Sequence, residues 1–264
     1  MFDLHTHTHH SCDARATMLE LAVAAQQAGL AGIAFTDHVE WFPDDGAYQY
    51  LHVDAFFAEL EAARAQVNGA LTLLAGVELG NPHTFPAEAA TLLAAGPWDC
   101  VIGSLHWPGG APGWRRETFA AGMEAAYALY FEDLIHLATH GEFDILGHLD
   151  LVRRNSHALF HQALPLDAYA EPIRAALQAL IARGKGLEIN TSGAGYGLPG
   201  PLPDLAVLRW YRELGGELLV LGSDAHLPEH VGRHFTAARE LALAAGFTRL
   251  AYFAQRQVAG WMPL

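Results

Sequence analysis

Lysine is almost absent from this chain: Lys185 stands alone among 264 residues, and the formal net charge is −14. A protein that grips a phosphodiester backbone needs a basic surface, so nucleic acid is not an expected partner. Thiols are scarce as well, with Cys12 and Cys100 too few for a disulfide framework. No apolar run reaches the ~18 residues of a membrane span, and no charged-then-apolar signal segment opens the chain. These absences predict a cytoplasmic protein that acts on a small molecule without a membrane, its oligomeric state left open. What the sequence holds in excess is histidine, at sixteen residues, beside a 52% hydrophobic content that is ample for a core.

Short runs rich in Val, Ile and Leu alternate with segments of helical period. The runs are MFDLH (1–5), GIAFTDH (32–38), LTLLAGVEL (71–79), DCVIGSLHW (99–107), FDILGHLD (143–150), GLEINTS (186–192) and LLVLGSDAH (218–226). Thr17 and Glu20 have the spacing of a capping box for a helix that Gly29 can close. Asp54 is placed to cap a helix whose apolar face is Phe56, Phe57, Leu60 and Val67. Segments 84–95, 117–139, 166–183, 203–214 and 229–246 complete the alternation. Strands apolar through their middles, each followed by a helix, indicate a parallel sheet covered by helices, either open or closed into a barrel.

The polar residues favour the barrel. His5 and His7 alternate with Thr6, so in a strand they share one face. Later runs end in His38, Glu78, His106, His148, Asn190, and then Asp224 with His226. One histidine at a strand end is usually a hydrogen-bonded loop residue, but seven strand ends of this kind describe the rim of a closed α/β barrel. An open sheet would gather them at one switch point. Imidazole and carboxylate without a thiolate pattern suit Zn, Mn or Fe. The expectation is one α/β domain over 1–264, with a metal site at the C-terminal ends of its strands.

The ordered pieces DLHTHT (3–8), TDH (36–38), GVELG (76–80), GSLHW (103–107), GHLD (147–150) and GSDAH (222–226) resemble the PHP (polymerase and histidinol phosphatase) superfamily of metal-dependent phosphoesterases. FDILGHLDLVRR (143–154), EINTSG (188–193) and GSDAHLPEHVGRHFTAA (222–238) are similar to its histidinol-phosphate phosphatase branch. The resemblance implies a distorted, TIM-like (β/α)7 barrel holding two to three divalent ions. His5, His7, Glu78 and Asp224 would bind the first, Glu78 would bridge to a second held by His106 and His148, and His38 and His226 would bind a third. Members of that branch commonly add a histidine where this chain has Asp13, so Asp13 is the candidate for the remaining ligand, with His9, His10 and Cys12 as rivals. Glu78, Asp224 and His226 would stand closest to the chemistry.

That chemistry has its own logic. A phosphate monoester dianion repels the water that must attack it, and clustered cations both activate water and neutralise phosphoryl oxygens. The expected reaction is in-line attack by a metal-bridging hydroxide on L-histidinol phosphate, with no covalent phosphoenzyme. Another small phosphomonoester or nucleotide is the alternative substrate, and an inactive metal-bound regulatory module is the alternative from a different class.

Asp3 shares the face of His5 and His7 and is read as an acceptor that fixes a ligand imidazole. Arg153 and Arg154 are the preferred phosphate contacts, since a guanidinium matches phosphate oxygens in pairs. Arg15 and Arg233 are weaker candidates. His83 and Asn190 are candidates for substrate contact, Tyr196 for closure of the glycine-rich loop 193–200, and Glu40 and Asp44 for the substrate's amine or imidazole.

Overall fold

The seven apolar runs pair in chain order. In the computed structural model, which describes residues 1–264, the strands are β1 (Phe2–Asp3), β2 (Gly32–Val39), β3 (Thr72–Gly80), β4 (Cys100–Ser104), β5 (Ile145–Leu146), β6 (Gly186–Asn190) and β7 (Leu219–Gly222). All neighbours are parallel. The ring is drawn together just beyond β1 and β7, where the Leu4 amide donates to the Leu221 carbonyl (2.9 Å), the Asp224 amide to the His5 carbonyl (2.8 Å) and the His7 amide to the Ala225 carbonyl (2.8 Å). The result is a nearly closed TIM-like barrel, as the strand-end pattern predicted.

Helices α1 (Met18–Gln27), α2 (Val53–Val67), α3 (Pro86–Ala94), α4 (Met123–His140), α5 (Leu151–Phe160), α6 (Ala170–Ala182), α7 (Leu205–Glu213) and α8 (Phe235–Ala244) surround the strands. The Thr17–Glu20 capping box forms, and Gly29 follows α1 at φ 70°. Asp54 is not a cap: α2 starts after His52, with no side-chain cap bond, and Asp54 lies in its first turn.

Two further features depart from the sequence reading. The run 143–150 is strand only at Ile145–Leu146, because the chain turns at His148 into α5. That helix buries Leu151, Val152 and Ser156 and packs Leu159 and Phe160 against the core, a helical period that the sequence reading passed over. The chain also ends in an antiparallel hairpin, β8 (Arg249–Ala254) with β9 (Gln257–Pro263). Its Ala251 and Phe253 pack with Leu4, Ala34, Leu74 and Ile102, sealing the barrel at the end away from the histidines. None of the helices is long and apolar enough to cross a membrane.

Two glycines admit buried carboxylates to the barrel. A Cβ at Gly222 would collide with the Glu188 carboxylate and lie 2.5 Å from His5 Cβ, and one at Gly80 would collide with the Glu40 carboxylate. Gly222→Ala is therefore expected to cost about 1–3 kcal/mol as an overpacked site, seen as a lower urea midpoint at constant m. An unchanged midpoint would show that the close approach is not needed.

Candidate metal centre

Because the strands are parallel and in register, residues at their C-terminal ends converge. His38 on β2 is the register partner of Glu78 on β3, and its Nδ1 lies 2.8 Å from Glu78 Oε2. The same oxygen is 3.4 Å from His5 Nε2 and 3.6 Å from His7 Nε2. The other oxygen, Oε1, lies 2.9 Å from His148 Nε2 and 3.4 Å from His106 Nε2, and accepts the Ser104 hydroxyl at 2.6 Å. Asp224 Oδ1 completes the first side, 3.3 Å from His7 Nε2 and 3.8 Å from His5 Nε2. Towards the rim, Asp13 Oδ2 stands 3.2 Å from His226 Nε2 and 3.6 Å from His38 Nε2. All nine expected ligand residues thus meet in one cluster.

Their opposite edges are held by residues most of which the sequence reading missed. His5 Nδ1 is 2.7 Å from Glu188 Oε1, and His106 Nδ1 bonds Glu40. His7 Nδ1 faces the Ser11 hydroxyl at 3.2 Å, and that hydroxyl donates to Asp37 Oδ1 at 2.8 Å. With these partners accepting N–H, each ring turns the lone pair of its other nitrogen inward. The inward atoms His5 Nε2 and His7 Nε2 are buried without a hydrogen-bond partner, and His38 Nδ1 and Glu78 Oε2, though 2.8 Å apart, are not aligned to bond each other and have no other partner. Buried polar atoms are seldom left so, and a cation is what this donor set accepts. Glu188 had a visible signal: it is a carboxylate between Leu187 and Ile189 in the middle of a strand.

Electrostatics agree. Burial penalises the Glu78 carboxylate, yet the facing His5, His38 and His106 outweigh it and hold its pKa well below the usual range. Burial likewise opposes a charged His106, but Glu40 and Glu78 raise its pKa to about 9. His7 goes the other way, pushed well down by burial and by its neighbours His226 and His38. Several carboxylates drawing protons onto some rings and not others is the charge balance that divalent ions replace, releasing those protons.

Other expectations need correction. Asp3 touches no imidazole; its carboxylate accepts the backbone amides of Ser223 and Gly232, both at 2.9 Å, so it ties β1 to the segment after β7. Arg153 turns from the cluster to pair with Asp150 (2.9 Å) and Asp204 (3.4 Å). His83 pairs with Asp133 at 3.0 Å. Asn190 is fully buried, donating to Glu188 Oε2 and accepting from Ser192, so it braces the site from behind. His9 and His10 face Glu59 rather than Asp13. Glu40 is engaged with His106, and Asp44 is exposed.

Arg154 does reach the site. Its Nη1 donates to Asp224 Oδ2 and Ser192 Oγ, both at 2.7 Å, and its guanidinium lies 4.7 Å from the centre of the Tyr196 ring. It lines a cavity of about 420 Å³ with Asp13, His106, His226, Trp114 and Tyr196, open above the cluster. Cys12 and Asp45 also line it.

The PHP domain family matches residues 3–192. A probable histidinol-phosphatase of Deinococcus radiodurans is 32% identical over 259 residues, covering 93% of this chain and 94% of the relative. The histidinol-phosphatase of Lactococcus lactis is 27% identical over 267 residues, covering 97% and 95%. A crystal structure of histidinol phosphate phosphatase from Lactococcus lactis, complexed with zinc, L-histidinol and phosphate, shares the fold with a TM-score of 0.83 at 24% identity over 98% of both chains. With its motifs spread over the barrel's rim and the family match spanning most of its length, the chain belongs to the PHP domain family.

Proposed function

We propose that this protein hydrolyses L-histidinol phosphate to L-histidinol and inorganic phosphate, its whole length of 1–264 acting as one phosphoesterase domain. The observation that carries the reading is the set of inward, unpartnered nitrogen and oxygen atoms around Glu78, beneath a cavity of small-molecule size. The relatives' names supply the substrate. The net charge of −14 and a cavity of small-molecule size suit a small phosphate ester better than a nucleic acid, and the free thiols Cys12 and Cys100 suit a reducing cytoplasm.

In this reading His5, His7, Glu78 and Asp224 hold one divalent ion, Glu78 with His106 and His148 a second, and His38, His226 and Asp13 a third, drawn from Zn, Fe or Mn. Bound there, such ions bring the pKa of water near neutrality and neutralise phosphoryl charge. Glu78 offers one oxygen to each side of the cluster, so it would help to hold both of the first two ions. Arg154 supplies the phosphate contact: Nη1 is committed to Asp224 and Ser192, and the guanidinium, which lines the cavity, has further N–H groups to offer an ester oxygen. Tyr196, half exposed at the rim, stacks on that guanidinium and keeps it aimed.

Chelation should abolish phosphate release, refilling with Zn, Mn or Fe should restore it, and in a substrate panel histidinol phosphate should show the highest kcat/KM. A panel led by another phosphomonoester would sink the substrate while leaving the reaction. Glu188→Gln, which weakens the acceptor behind His5, should lower metal affinity by about 10- to 100-fold, read by competition with a chelator. Arg154→Ala should lower kcat/KM by about 10²- to 10³-fold, with Arg154→Lys recovering only part, since an ammonium cannot reach Asp224 and phosphate together; equal activity of all three forms would remove Arg154 from the site.

A further inference from the structure

The loop between β1 and α1 carries two histidines that this reaction does not use. His9 and His10 are consecutive, yet their rings lie side by side with centroids 4.4 Å apart. Both aim Nε2 at one oxygen of Glu59 on α2, His9 from 3.1 Å and His10 from 2.8 Å. We propose that His9, His10 and Glu59 form a separate divalent-cation site of the zinc class, which clamps the β1–α1 loop to α2.

Two imidazoles and one carboxylate are a donor set that zinc accepts, with a fourth position left for water. Tetrahedral bonds of 2.0–2.1 Å put donor atoms about 3.3 Å apart. Glu59 Oε2 already stands near that spacing from both ring nitrogens, and all three atoms lie within 4.8 Å of one another, so small side-chain shifts admit the ion. The carboxylate is oriented from behind, because its other oxygen accepts the Met18 amide at 2.9 Å. His10 is nearly buried, with its ring packed edge-on against Phe56. The His9 side chain is 41% exposed, which leaves an entry path and room for the water.

The loop so clamped also carries His5, His7 and Asp13. An ion here would stiffen the segment that delivers three groups of the central cluster, without touching that cluster. The inference is independent of the phosphatase reading, because it concerns metal content and loop rigidity alone.

The test uses the full chain with its central sites first saturated, then dialysed against increasing Zn²⁺ and measured by elemental analysis. Wild type should take up one zinc per chain beyond the central complement. Glu59→Gln and the double variant His9→Ala/His10→Ala should each bind that ion at least about tenfold more weakly, with central stoichiometry and phosphate release unchanged. The added zinc should raise the Tm of wild type and not of the variants. Equal uptake by wild type and Glu59→Gln, or no uptake beyond the central complement, overturns the site. If the double variant misfolds, Glu59→Gln decides, because its amide oxygen still accepts the Met18 amide.

Discussion

The structure turns on a carboxylate kept from water. Glu78 sits at the end of β3 with no exposed surface, where an ionised group costs several kcal/mol unless opposite charge surrounds it. Imidazoles from β2, from the segments after β1, β4 and β5, and the Ser104 hydroxyl all close on its two oxygens. A parallel barrel is suited to this task, because each strand brings one residue to the same level from a different direction. The open question for any such cluster is which positive charge fills it, and divalent ions answer it better than a partial set of protons.

Around this centre lies a second layer of acceptors. Glu188, Glu40 and the Ser11–Asp37 pair each grip the far edge of a ring. These contacts fix which nitrogen is free to bind. They also explain the glycines at 222 and 80, where the chain gives up a side chain so that Glu188 and Glu40 fit. The local backbone serves the same end: Asp224 adopts φ 55°, an unfavourable region for a residue with a side chain, held there by its amide bond to the His5 carbonyl.

Much of this was legible beforehand for a definite reason. Strand ends are marked by a change from apolar to polar residues, so His38, Glu78, His106, His148 and Asp224 announced themselves by position. Partners that depend on side-chain direction did not. Asp3 shares a face with His5 on paper, but its carboxylate finds backbone amides at the seam between β1 and β7. Arg153 and Arg154 are neighbours on α5, where successive side chains point about 100° apart; one enters the cavity and the other turns to Asp150 and Asp204. His83 likewise has a nearer partner in Asp133, fifty residues along the chain.

The sequence by itself marked the seven strand runs, the barrel and the polar strand ends that meet around Glu78, because hydrophobic period and the chemistry of strand ends are local properties. Tertiary structure alone decided the rest: that Glu188 and Glu40 stand behind His5 and His106, that Arg154 rather than Arg153 faces the cavity, that a terminal hairpin seals the barrel floor, and that His9 and His10 meet Glu59. Each of these depends on residues far apart in the chain arriving within a few ångströms of each other, and nothing in local periodicity encodes that arrival.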